Sequence, residues 1–332
     1  MKKVLLIGGA GFIGLRICKF IAEQRKNHSI TIIDNFFRGK LDEDLLNLQE
    51  KYSIKVINAD CTVPESFNQL EKDYDQVYML ASVVGVEYTS KMPNEIIRIN
   101  TALIFNTLEW LKNSQCKKVL FTSTSECYAG TIEAFNYTIP TPEEVPLTVE
   151  DIRHPRFTYA VTKMLGESGF MNYARVFGFD CTIVRYHNVY GERMGFKHVI
   201  PQVTQRLFAQ ENPFKIYGFD QTRTFCYVDD SVEGTVLAME SADANGEIFH
   251  IGVQDEEIKI EELIKMMGEM VGYSGTYELV AAPDGSVSRR CPDISKAKRM
   301  LNYQPKTDLK TGIQRTTEWY LNFLKSGKKP HE

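Results

Sequence analysis

No Cys-x-x-Cys pair occurs in this sequence. Its cysteines, Cys18, Cys61, Cys116, Cys127, Cys181, Cys226 and Cys291, are odd in number and scattered over 332 residues. That pattern argues for reduced thiols over a disulfide framework. The histidines (His28, His154, His187, His198, His250 and His331) show neither H-E-x-x-H nor paired ligand spacing, which disfavours a metalloenzyme. Uncharged apolar runs are short; one such run, Val77 to Val86, falls well below the ~20 residues of a membrane span. An excess of either charge is also missing. Lys and Arg total 39 against 43 Asp and Glu, for a net charge of −4, and without a basic stripe a nucleic-acid partner is disfavoured. The opening Met-Lys-Lys is followed by an apolar run, Val4–Ile7, that stops at Gly8, too short for a signal peptide, so a cytoplasmic location is expected. Internal repeats and low-complexity tracts are absent.

What is present reads as an ordinary globular chain. Apolar residues make up 43% and charged residues 25%, enough for a sizeable core. Short apolar runs at Val4–Ile7, Ile30–Ile33, Lys55–Ile57, Val77–Leu80, Val119–Phe121 and Thr182–Arg185 predict buried strands. Between them Phe12–Gln24, Asn94–Asn113 and Tyr159–Phe177 carry helical periodicity. This alternation predicts an α/β fold with a parallel sheet covered on both faces. After Tyr190 the pattern turns irregular, with loop-rich stretches near Gly195–Pro201 and Ala281–Pro292, and we expect a smaller, interleaved substrate-binding lobe there. Ser326–Glu332 is polar and expected to fray.

Gly8-Gly9-Ala10-Gly11-Phe12-Ile13-Gly14 follows the first strand and opens a helix. Glycine serves where the chain needs unusual dihedrals and where a pyrophosphate must approach the backbone, and the helix N-terminus offers free N–H groups to it. Asp34 ends the second strand, 20 residues after Gly14. A carboxylate there accepts from ribose hydroxyls and repels a 2′-phosphate, favouring NAD over NADP. Arg38, four residues on, is a candidate phosphate ligand that weighs less than the strand-end Asp34. Asp60 suits either the adenine amino group or a plain loop cap.

Tyr159-Ala160-Val161-Thr162-Lys163 is the only Y-x-x-x-K. On a helix the two side chains share a face, and an adjacent ammonium, together with the positive charge of an oxidised nicotinamide, lowers the phenol pKa from ~10. Tyr159 thereby becomes a base for a sugar hydroxyl. Phe121-Thr122-Ser123-Thr124-Ser125-Glu126 follows the fifth strand, and Thr124 would share the same substrate oxygen. Glu126 suits either chemistry or a buried structural carboxylate. Ile97, Thr101, Ile104 and Leu108 form an apolar stripe that serves a core or an interface equally well.

Together these motifs resemble the extended short-chain dehydrogenase/reductase family of nucleotide-sugar epimerases, dehydratases and decarboxylases. The similarity extends to Arg185-Tyr186-His187-Asn188, Arg223-Thr224-Phe225-Cys226-Tyr227 and Arg290-Cys291-Pro292-Asp293. The resemblance implies a Rossmann-type doubly wound parallel sheet over residues 1–190 with a returning segment at about 225–253. A mixed α/β lobe would then span 191–325, with a tail at 326–332. It implies NAD held by Gly8, Gly11, Phe12, Ile13, Gly14, Asp34, Asn35, Asp60, Ala81 and Lys163. Thr124, Tyr159 and Lys163 would be catalytic, with Ser125 and Glu126 beside them, and Asn188, Arg223, Tyr227, Arg290 and Val86 would hold a nucleoside-diphosphate sugar, a UDP-sugar being favoured. A homodimer is implied as well. Thr124-Ser125-Glu126, Asp34-Asn35-Phe36-Phe37 and Arg290 resemble UDP-glucuronate decarboxylases. Ala81–Glu87 resembles sugar 4-epimerases instead, and Ser125 stands where 4,6-dehydratases carry Asp. The expected reaction is decarboxylation of a UDP-hexuronate through a transient 4-keto sugar, with 4-epimerisation as the alternative, dehydration less favoured, and a non-catalytic NAD sensor as a reading from a different class.

Overall fold

The computed structural model describes residues 1–283 and 286–327, the side chain of Val86 excepted. Its centre is a strand with no polar face. β1 (Lys2–Ile7) buries Val4, Leu5, Leu6 and Ile7 completely, which an uninterrupted apolar strand requires of a sheet covered on both sides. Val4 and Leu6 face one core with Ile17 and Ile21 of α1 (Phe12–Gln24), and Leu5 and Ile7 face the other. Chain order continues with β2 (His28–Asp34), α2 (Glu43–Tyr52), β3 (Lys55–Asn58), β4 (Gln76–Met79), α3 (Val86–Lys91), α4 (Pro93–Lys112), β5 (Lys118–Thr124), α5 (Ala129–Phe135), α6 (Thr158–Phe177) and β6 (Asp180–Tyr186).

The main sheet is parallel throughout, in the order Ile248–Ile251, β6, β5, β4, β1, β2, β3. Its direction of growth reverses between β1 and β4. Ligands of such sheets sit in the crevice beyond the strand ends at that switch point. Beyond Tyr190 the chain forms small sheets, Phe214–Tyr217 with Tyr277–Val280, and Thr222–Thr224 between Glu257–Lys259 and Arg289–Arg290. Helices Val199–Phe208, Ile260–Val271 and Leu309–Lys325 complete this part. Its apolar residues, among them Val203, Phe214, Leu263 and Ile313, join the core that lies over Val4 and Leu6.

Three expectations need correction. β4 stops at Met79, so Leu80 lies outside it. Residues 199–201 open a helix instead of a loop, because Pro201 stands in the first turn, where the missing N–H would have had no intrahelical acceptor. The stripe on α4 divides: Ile104 and Leu108 are buried in the core while Ile97 is 48% exposed. The expected tail lies partly outside the described residues. No helix of the described residues is long and apolar enough to cross a membrane.

Buried polar groups brace the strand ends under the crevice. Arg185 on β6 forms a two-pronged ion pair with Glu167 on α6 (2.8 and 2.7 Å), and Ser123 on β5 donates to the same carboxylate. Next to it, fully buried His187 accepts from or donates to the Tyr128 hydroxyl at 2.8 Å, with the His250 ring 4.7 Å away. Burial, reinforced by nearby Arg185, pushes His250 down to about 3, and burial holds His187 well below its ordinary value. Both rings are therefore neutral in the fold, whereas the unfolded chain protonates them below pH ~6.5. Stability is predicted to fall as pH drops from about 6.5 towards 3, by up to ~1.4 kcal/mol per pH unit for each ring. Urea unfolding across that range checks this. A His187→Phe, His250→Asn double variant flattens the slope; an unchanged slope contradicts the account.

Candidate active site at the sheet's switch point

The glycine turn between β1 and α1 has a different reason for each glycine. Gly8 adopts φ +82°, and a Cβ there would lie 2.6 Å from the Ala81 amide nitrogen. At Gly14 a Cβ would meet the Gly8 carbonyl and Gly9 Cα at 2.7 Å. Gly11 differs: its nearest obstacle is the Gly8 oxygen at 3.4 Å, ordinary contact. The space beside Gly11 is open to a cavity of about 610 Å³, of the size that holds small ligands. A residue without a side chain, a helix N-terminus and an open cradle fit a dinucleotide's diphosphate.

Every residue expected at the cofactor site lines this cavity: Gly8, Gly11, Phe12, Ile13, Gly14, Asp34, Asn35, Asp60, Ala81 and Lys163. Buried Asp34 accepts from the amides of Ala10 (3.0 Å) and Phe36 (2.8 Å), which fixes the carboxylate at the end of β2. Burial raises its pKa and those two amides oppose the rise. Asp60 caps its loop by accepting from Thr62 at 2.9 Å, and it faces the cavity too. Arg38 also reaches the cavity, with its guanidinium donating to the Val84 carbonyl.

Thr124, Ser125, Glu126 and Tyr159 form the opposite wall with Lys163, Asn188 and Arg290. Lys163 is 4% exposed; its ammonium donates to the Thr122 carbonyl at 2.7 Å and lies 5.8 Å from the Tyr159 ring centre. The protein's own groups, without the nicotinamide's charge, do not depress the phenol. Burial raises the Tyr159 pKa above its ordinary value, with Arg38 and a Thr124 hydrogen bond opposing, and burial lowers Lys163 to about 8. In the protein's own field burial outweighs the groups that favour the phenolate.

Glu126 and Arg290, 164 positions apart in the chain, form an ion pair of 2.6 Å. Burial disfavours the Glu126 charge, but the Arg290 and Arg156 guanidiniums outweigh it and hold the carboxyl below its usual range. Arg290 is 5% exposed, and its Nε and second terminal nitrogen find no hydrogen-bond partner among the described residues. Arg156, 4.0 Å from Glu126, lines the cavity and was not anticipated. Its signal was its place three residues before Tyr159 on the approach to α6. Asn188, at φ +41°, lines the cavity and donates to the Thr224 carbonyl.

Two of the expected substrate residues do not line the cavity, although the Arg223 charge still bears on Glu126 and Arg290. Tyr227 is buried with its hydroxyl on Glu192 (2.7 Å), in a network with Arg16. Arg223 spends its guanidinium on Gln221 and on the carbonyls of Thr222, Val287 and Ser288, outside the cavity lining. The side chain of Val86 lies outside the described residues.

The glycine geometry makes a paired prediction. Gly11→Ala should leave urea stability within ~1 kcal/mol of the parent and weaken dinucleotide binding at least about tenfold by calorimetry, because its methyl group enters the ligand's space. Gly14→Ala should instead lose ~1–3 kcal/mol of stability, because its methyl group meets backbone. Equal behaviour of the two variants contradicts this reading.

Comparison with known proteins agrees with the geometry. Residues 4–252 match the profile of the NAD dependent epimerase/dehydratase family. A UDP-N-acetyl-alpha-D-glucosaminuronate decarboxylase of Bacillus cytotoxicus is 33% identical, over 96% of this chain and 98% of its own. UDP-glucuronic acid decarboxylase 1 of Arabidopsis thaliana is 32% identical over 96% of this chain and 70% of its own. The crystal structure of UDP-glucuronic acid 4-epimerase from Bacillus cereus, in complex with UDP-glucuronic acid and NAD, superposes with a TM-score of 0.83 at 26% identity, covering 97% and 99% of the two chains. Relatives thus include both UDP-sugar decarboxylases and 4-epimerases, and this chain belongs to the NAD dependent epimerase/dehydratase family, an extended short-chain dehydrogenase/reductase group with NAD as its cofactor.

Proposed function

We propose that this protein decarboxylates a UDP-hexuronate by way of a transient 4-keto sugar. The observation that carries this reading is the Glu126–Arg290 ion pair on the same cavity wall as Tyr159, with Arg156 beside it. A C6 carboxylate entering a partly dry cavity needs a cation, and Arg290 retains N–H groups to offer one. Epimerisation of a neutral sugar has no need of a cation at that place, whereas epimerisation of a uronate shares that need.

Bound NAD supplies the hydride acceptor at C4 and later the donor, and its positive ring favours the phenolate. Tyr159 Oη takes the proton of the C4 hydroxyl, with Thr124 Oγ sharing that oxygen. The Lys163 ammonium, charged below pH ~8, favours the phenolate across the shared helix face. Once C4 is a ketone the C6 carboxylate is a β-keto acid. The C5–C6 bond breaks, carbon dioxide leaves, and the electron pair passes to the C4 oxygen. Arg290 and Arg156 steady that negative charge, and C5 takes up a proton from a water molecule beside ionised Glu126, the hydroxide so formed leaving to solvent, which restores the C4 ketone. When C4 is reduced again, Tyr159 Oη returns the proton to its oxygen. Glu126 thus keeps Arg290 oriented while the substrate carboxylate is present.

A 4-epimerase reading is favoured by one feature, the proline-free cavity wall at Ala81–Gly85 with Gly85 at φ +131°. The two readings separate in one experiment. Incubation with UDP-glucuronate, UDP-N-acetylglucosaminuronate, UDP-glucose and dTDP-glucose, followed by mass spectrometry and NMR, should show loss of carbon dioxide from a uronate. An isomer of unchanged mass supports epimerisation instead, and loss of water supports dehydration. Tyr159→Phe should lower kcat by about 10²–10⁴-fold in either case without loss of fold. Glu126→Gln should lower decarboxylation by about 10²-fold; full activity in that variant removes the role given to Glu126.

The exposed apolar residues Ile97 and Phe105 on α4 and Val161 and Leu165 on α6 lie on two helices that pack together. We read this face as the seat of a second copy. Sedimentation should show a dimer that Phe105→Asp converts to a monomer; a monomeric parent contradicts it.

A further inference from the structure

Arg38, in the loop after β2, lines the cavity, and its charge bears on the Tyr159 phenol, but the reaction above gives its guanidinium no ligand. It leaves the loop after β2 and reaches across to two other segments. One terminal nitrogen donates to the Val84 carbonyl beyond β4 at 2.9 Å, and the other meets His198 Nε2 at 3.4 Å. His198 stands just before the helix Val199–Phe208, so one side chain bridges three separate segments. Burial together with the Arg38 charge pushes His198 down to about 4, leaving a neutral ring that can accept this bond. Around it the same segments meet again. The rings of Phe37 and Tyr88 are 6.1 Å apart, and Lys197 pairs with Glu87 at 2.9 Å.

Among the described residues no carboxylate pairs with Arg38, although the guanidinium is half-buried and lines the cavity. A cation withdrawn from water without a counter-charge calls for an anionic ligand. Two nitrogens rest on neutral acceptors, so N–H donors of its planar fork remain for phosphate oxygens. Its path crosses the crevice from the β2 side to the β4 side, over the switch point. The loop that carries it is also tied to the glycine turn, for the Lys40 amide donates to the Ala10 carbonyl and Arg193 donates to that oxygen as well.

We propose that Arg38 clasps a diphosphate in this cavity, and specifically that of the dinucleotide. The clasp closes the crevice from the side opposite the α1 N-terminus, so that the diphosphate lies between backbone amides and a guanidinium. It gives the chain a means of retaining its cofactor through repeated turnovers without a 2′-phosphate to hold. The inference rests on the family's cofactor and not on which sugar reaction follows.

The test uses Arg38→Met and Arg38→Lys in the full chain. NAD and UDP are each titrated by calorimetry, and urea unfolding is followed in parallel. Loss of a charge-assisted bond predicts that Arg38→Met weakens NAD about ten- to hundredfold, leaves UDP within about twofold, and keeps its unfolding midpoint, with Arg38→Lys between the two. Unchanged NAD affinity overturns the clasp. Weakened UDP with unchanged NAD also overturns it, by assigning Arg38 to the nucleotide sugar. No sugar is turned over in these titrations, so the outcome stands apart from the decarboxylation reading.

Discussion

The bond from the Lys163 ammonium to the Thr122 carbonyl is the contact on which the site depends. It joins α6 to the last turn of β5, two residues before Thr124, and it does so with a buried charge. A lysine held in that way cannot drift, and Tyr159, one helical turn earlier, is held with it. The neighbouring Arg185–Glu167 pair, with Ser123, ties β6, α6 and β5 together below the same point. Removal of one partner of such a pair leaves an uncompensated charge, typically a loss of ~3–5 kcal/mol. The wall that carries Tyr159 is thus built on a braced part of the sheet.

The two halves of the cavity are assembled by different physics. The cofactor half is backbone: close approaches at Gly8 and Gly14 shape the turn, and the open space at Gly11 is left for a ligand. The other half, where we propose that the sugar binds, is side-chain charge, with Glu126, Arg156 and Arg290 gathered from the β5 loop, the approach to α6 and the strand Arg289–Arg290. The balance of those charges keeps Glu126 ionised despite burial. Tyr159 shows the opposite balance, since burial dominates there and favours the neutral phenol.

Local features of the sequence carried most of the cofactor half. A strand, a glycine turn and a helix follow one another within 24 residues, and Asp34 is placed by the strand that it ends. Tyr159 and Lys163 needed only helical spacing. The substrate half was less legible, because its contacts join distant parts of the chain. Nothing local to Glu126 points to Arg290, and nothing local to Tyr227 shows that its hydroxyl is taken by Glu192. Arg223 carries the expected residue type, and the sequence does not show that carbonyls just before the strand Arg289–Arg290 take up its donors. The helix at 199–208 was hidden by Pro201, which looks like a breaker until its place in the first turn is known.

The central claim is that one sugar carbon is oxidised and then reduced within a single bound complex. Deuterium at C4 of UDP-glucuronate or UDP-N-acetylglucosaminuronate, followed by NMR of the product, tests it most directly. The account predicts that the label returns to C4 of the product while the cofactor ends the cycle oxidised. Label lost to solvent, or accumulated on the cofactor with a ketosugar released, would contradict it.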